Sequence, residues 1–174
     1  MPSSATCGHG PMPWPRRSSA TPDPYECSRC VRCAGEAMTD TEPIRFEPFC
    51  EEHNEGVVSL CRELDWPSYT DPEISLRALL APGSVTWVAC EGEAVVGLAH
   101  LLTDGLVQAH LFLIGVRPSS RRRGIAKTLI RGAFRGCGAK WLDLSAEPGS
   151  EGFYRSFVHK EGAGFRVYPS EPVA

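Results

Sequence analysis

A basic run sits where a strand gives way to a helix: Val116-Arg117-Pro118-Ser119-Ser120-Arg121-Arg122-Arg123-Gly124-Ile125-Ala126-Lys127. The chemistry it suits is anion binding. First-turn N–H groups of a helix have no intrahelical acceptor, and with the helix dipole they attract negative charge. Gly124 has no Cβ, so a phosphate oxygen can approach the backbone, and Ala126 leaves the next turn uncrowded. Arg121, Arg122, Arg123 and Lys127 supply charge for a polyphosphate. The pattern GxxxxGKS/T of a P-loop is absent, and Gly132, Gly136 and Gly138 follow the helix start instead of opening it as a GxGxxG fingerprint would.

Composition narrows the setting. The formal charge of −3 gives no global attraction for nucleic acid or an anionic membrane, so neither is expected as a partner. No apolar stretch approaches the roughly 20 residues that cross a bilayer. Of eight cysteines, Cys7, Cys27, Cys30 and Cys33 lie near the start, and Cys50, Cys61, Cys90 and Cys137 are scattered through apolar or helical runs. Cys27-x-x-Cys30-x-x-Cys33, with His9 upstream, offers thiolates. All three fall within seven residues, however, and no second pair follows at finger spacing, so no metal is expected. The scattered cysteines read as reduced core residues. No apolar secretory segment opens the chain, and the expected compartment is the cytoplasm.

The elements that must position the basic loop follow from periodicity. Residues 1–40 are rich in Pro, Ser, Arg and Cys and read as a disordered tail, with translation expected to begin at Met38. Residues 41–174 read as one domain. Ile44 to Phe49 alternates as a half-buried strand, Glu51 to Trp66 has helical spacing, and Asp71-Pro72-Glu73 opens a second helix. Val85 to Cys90, Ala94 to Leu102 and Leu106 to Val116 predict an antiparallel meander. A helix over 123–136, a returning strand over 140–145, a helix over 150–157 and a strand near 164–168 complete an α+β order. The expected fold is an α/β/α sandwich: one mixed, mostly antiparallel sheet with helices on both faces.

Val116, Pro118, Arg121, Gly124 and Ala126 fall in register with V-x-P-x-x-Q/R-x-x-G-x-G/A, and the sequence thereby resembles the GNAT superfamily of GCN5-related N-acetyltransferases. The resemblance implies acetyl-CoA as co-substrate, an amine as acceptor and direct attack in a ternary complex. It also implies that the amides of Arg121, Arg122, Arg123, Gly124, Ile125, Ala126 and Lys127 hold the pyrophosphate. The strand end Ile114, Gly115 and Val116 would pair with the pantetheine, with Gly115 expected at a bulge that splays this strand. His110, six residues before Val116, stands where a catalytic Glu often does, and its imidazole is suited to take a proton near neutrality. Tyr154, in Phe153-Tyr154-Arg155-Ser156-Phe157, is similar to the family's FYxxxGF segment and is the implied proton donor to the thiolate. Here Gly164-Phe165 arrives six residues late, after an insertion over 158–163 expected to lengthen the helix or add a loop.

Acceptor contacts are expected from Trp66, Tyr69 and Asp71 between the first two helices, and from His100 and Gln108. If Leu102 pairs with Leu106, His100 faces Gln108, diagonal to His110. Trp141 and Asp143 read as packing and sheet-end polar groups, and Glu147 as a candidate for the cleft wall. The competing function is a catalytically silent acyl-CoA sensor, which needs the basic loop and not His110 or Tyr154. A two-fold homodimer is the default assembly.

Overall fold

The computed structural model describes residues 42–164. The expected tail, the cysteines at 7, 27, 30 and 33, and the expected strand beyond Gly164 lie outside the described residues. The elements are β1 (Arg45–Pro48), α1 (Asn54–Glu63), α2 (Pro72–Leu79), β2 (Ser84–Glu91), β3 (Ala94–Thr103), β4 (Gln108–Val116), α3 (Ile125–Gly136), β5 (Trp141–Leu144) and α4 (Glu151–Tyr154). The strands form one sheet in sequence order. β1 to β4 are antiparallel, and β5 lies parallel to β4. A parallel neighbour requires a crossover, which α3 provides.

Helices cover both faces of this mixed sheet. On one face α1 and α2 press Val57, Leu60, Cys61 and Leu79 onto Val88 and Leu98. On the other, α3 packs Ile125 and Leu129 on Ala89, Val96 and Ala99, then Ile130 and Ala133 on Leu101, Ala109 and Leu111. Phe153, Tyr154 and Phe157 extend that second layer. Cys61, Cys90 and Cys137 are buried, as their apolar surroundings predict. Burial pushes the Cys61 thiol up to about 11. Cys50 departs from this pattern: it is half-buried, with Sγ 3.1 Å from His53 Nδ1.

Asp71 caps α2 as the Asp-Pro-Glu opening predicts: its carboxylate accepts from the amides of Glu73 (2.9 Å) and Ile74 (3.0 Å), while Pro72 takes the first helical position. Two expectations change. The helix expected over 150–157 is only α4, and of the two outcomes expected for the insertion it takes the second, a loop. Residues 158–163 run exposed, with Arg155 Nε donating to Glu161 at 2.8 Å.

The second change is register. Asp104 Oδ1 accepts from the amides of Leu106 (2.8 Å), Val107 (2.8 Å) and Gln108 (3.1 Å), and these bonds hold the Asp104 carboxyl below its usual range. The connection becomes a broad turn, β4 starts at Gln108, and Leu102 pairs with His110 instead of Leu106. His100 lies opposite Leu113, so the expected His100–Gln108 pairing does not form.

Candidate active site

The basic loop folds into a backbone concavity. After a short 3-10 turn at Pro118–Ser120, Arg121 is extended, Arg122 takes φ +63° and Gly124 caps α3 at φ +78°. Left-handed residues alternating with right-handed or extended ones turn successive N–H groups toward one side, which is how backbone nests bind anions. No amide from Arg122 to Lys127 donates to a backbone carbonyl among the described residues. A Cβ on Gly124 would meet nothing within 4 Å, so the backbone there is open to a ligand.

Not every basic side chain of the loop is available. Arg123 grips Glu91 at 2.9 and 3.3 Å, so its charge is largely neutralised within the protein. Glu91 therefore helps to shape the loop, a role visible only once β2 and the loop are side by side. Arg121 Nε donates to the Val116 carbonyl at 3.1 Å. Lys127 Nζ donates to Ser156 at 3.2 and 3.3 Å and sits 5.1 Å above the Phe157 ring, which leaves its charge without an acidic partner among the described residues. Ile125 contributes only its amide, because its side chain is buried under the sheet.

Among the described residues, β4 leads into this loop with half of its edge open. β5 pairs with it from Gln108–Trp141 to Leu111–Leu144 and no further. The register against β3 slips between His100 and Leu101, leaving Phe112 as the extra residue. The bulge is thus at Phe112 and not at Gly115. Arg117 N donates to Val96 O at 2.8 Å, toward β3. Because alternate residues of a strand present their N–H groups to opposite edges, Val116 and Ile114 direct theirs to the open edge. Gly115 has another use. A Cβ there would lie 2.5 Å from Leu64 Cδ1 and 2.6 Å from Trp66 Cη2, so glycine lets the Trp66 ring close against the strand.

His110 is half-buried, pairs with Leu102 on one side and Asp143 on the other, and so lies on the α1/α2 side of the sheet. Gln108 shares that side, its Nε2 donating to Asp143 Oδ2 at 2.8 Å. Tyr154 packs with the α3 layer on the opposite side. Burial first, then the Glu147 charge, raises its phenol further above neutrality, so it carries its proton there. The two expected proton handlers thus lie on opposite sides of the sheet.

His100 is not part of that arrangement. It is 2% exposed, and burial lowers its pKa to about 4. The Thr86 hydroxyl donates to Leu79 O at 2.9 Å, so its oxygen accepts from His100 Nδ1–H at 2.8 Å. His100 is a neutral core histidine and is withdrawn from the acceptor contacts. Tyr69 and Trp66 both pack against the α1/α2 core, and Trp66 also reaches β4 at Gly115.

Residues 82–157 match the family described as an acetyltransferase (GNAT) domain. A search of curated proteins by sequence returned no match. Among solved structures, the aminoglycoside acetyltransferase AAC(6')-Iy, bound to the bisubstrate analogue CoA-S-monomethyl-acetylneamine, superposes with a TM-score of 0.62. That match has 21% identity over 75% of this chain and 100% of that one. A GNAT family acetyltransferase from Streptococcus pneumoniae gives 0.57 at 26% identity, over 75% of this chain and 98% of its own. An acetyltransferase from Trypanosoma brucei gives 0.57 at 22% identity, over 72% of this chain and 100% of its own. Fold and family match agree: residues 82–157 match a GNAT acetyltransferase domain, and the chain has the fold of solved GNAT acetyltransferases. No helix among the described residues is long and apolar enough to cross a membrane.

Proposed function

We propose that the protein is an N-acetyltransferase that moves an acetyl group from acetyl-CoA to an amine in a single ternary complex. One observation carries this reading: the free amides from Arg122 to Lys127 lie directly beyond the unpaired edge of β4. A diphosphate on the amides and an amide-bearing arm along the edge would occupy both sets of unmet donors at once. CoA has that shape. The CoA analogue bound to AAC(6')-Iy supports the same reading.

The chemistry needs three services from the chain. The acceptor arrives as an ammonium, titrating near roughly pH 10, and must lose a proton before it can attack. His110 takes that proton on the α1/α2 side. The amine then adds to the thioester carbon, and the oxygen acquires charge, which an edge N–H of Ile114 or Val116 stabilises. As the tetrahedral intermediate collapses, the nitrogen gives its second proton to solvent, the new C–N bond remains, the C–S bond breaks and the electron pair leaves on sulfur; His110 then returns its own proton to solvent. Tyr154, protonated at neutral pH, donates to that thiolate from the other side and is re-protonated from solvent. Cys61 and Cys137, buried and in no disulfide, support a reducing, cytoplasmic setting.

The test combines calorimetry with acetyl-CoA and amine-dependent release of free CoA thiol. Wild type is expected to bind, and Gly124→Glu, which puts a carboxylate into the concavity, is expected to lose at least about tenfold in affinity. Undiminished affinity in that variant overturns the proposal. Tight binding with no thiol release for any amine favours the acyl-CoA sensor.

A further inference from the structure

The face that carries His110 also describes what it would acetylate. Along it, Leu102 on β3 is 41% exposed, Phe112 on β4 51% and Trp141 on β5 48%. The registers place them together: Leu102 opposite His110, His110 beside Asp143, and Gln108 beside Trp141. Phe112 turns to the same side, since its ring stands edge-on to His100 at 6.1 Å. Three large apolar side chains on three adjacent strands thus surround the imidazole, and α1 and α2 do not cover them.

One carboxylate is set directly beside the imidazole. The register pairs His110 with Asp143, whose Oδ2 accepts from Gln108 while carboxylates keep further lone pairs for a cation. Asp104 lies past the strand end, in the adjoining turn, with Oδ1 on three backbone amides, and Asp71 caps α2. Glu63 holds Arg117 at 2.8 Å. A polyamine or an aminoglycoside needs several carboxylates to replace the water around its ammonium groups. Among the described residues the strands set one beside His110, among surfaces that gain by covering a flat apolar body.

Resting on the acetyltransferase reading above, we infer that the acceptor is a primary monoamine on an aromatic or similarly apolar body. The body lies on Trp141, Phe112 and Leu102, and the ammonium is directed between Asp143 and His110. Only the proton on nitrogen passes to His110; the apolar body takes no part in bond making.

Steady-state CoA release is measured with tryptamine and phenethylamine against spermidine and neamine. The aromatic amines are expected to exceed the polycations in kcat/KM by at least tenfold. Trp141→Ala is expected to raise KM for tryptamine roughly tenfold, the loss of one stacking wall, with Trp141→Phe recovering most of it. Trp141 is half-exposed, so the fold should tolerate both variants, and acetyl-CoA titration verifies that the cofactor still binds. Preference for neamine or spermidine overturns this inference and leaves the acetyltransferase reading intact. So does a Trp141→Ala variant with an unchanged KM for tryptamine. Acetyl-CoA binding with no turnover of any amine overturns both.

Discussion

Two histidines on one face of the sheet have opposite fates, and the difference lies in what surrounds each ring. His110 keeps one side toward the open face. Replacing it with Gln preserves size and polarity but removes the proton acceptor, so kcat should fall by about 10² to 10⁴. Acetyl-CoA affinity should hold, and the activity that remains should rise steadily with pH as free amine accumulates. Tyr154→Phe should lower kcat while binding is kept, which stopped-flow thiol release would report.

His100, with its pKa depressed to about 4, makes a prediction about stability. The unfolded chain binds a proton near pH 6.5 and the folded chain does not, so stability is full above pH 6.5 and falls as pH drops toward 4. The loss is on the order of 3 kcal/mol. His100→Leu should flatten that limb in urea melts at pH 7, 5.5 and 4.5. The sequence showed both histidines on strands but could not separate them. Their placement depends on the span of the β3–β4 turn, and Asp104 set that span by gathering three amides.

At the scale of elements, the strand-to-helix loop was legible because its chemistry is local: a proline to stop the strand, then a glycine to open the helix. The bulge was not. Phe112 continues the alternation of β4, and nothing in its type marks it as the unpaired residue; only the register against β3 does. Gly115 looked like the irregular position and proved to be a clearance for Trp66. Gly115→Ala should therefore drive Leu64 and Trp66 off the strand, costing about 1 to 3 kcal/mol. It should also weaken acetyl-CoA binding, since the displaced ring lies over Gly115, on the strand end proposed to carry the cofactor. Chemical denaturation and calorimetry on the same variant would measure both. Glu91 likewise had no signal in its own segment. It lies 32 positions from Arg123, and only the packing of α3 against β2 brings the pair together.

For the whole molecule, the order of strands and helices was readable because each element carries its own periodicity, and the sandwich follows from which faces are apolar. What the periodicity missed was how far β5 accompanies β4. We expect a chain beginning at Met38 to fold and to bind acetyl-CoA with unchanged affinity, because β1 begins at Arg45. Circular dichroism and the same titration would show it. The early parting of β5 from β4 has one more effect. A bare strand border with unmet donors and acceptors invites pairing with another molecule's backbone, a common route to clumping. Acetyl-CoA, by lying in that gap, would act as a chaperone for its own enzyme. At a hundredfold excess over its Kd it adds about 2.7 kcal/mol, and heated samples should then stay clear where cofactor-free ones turn turbid.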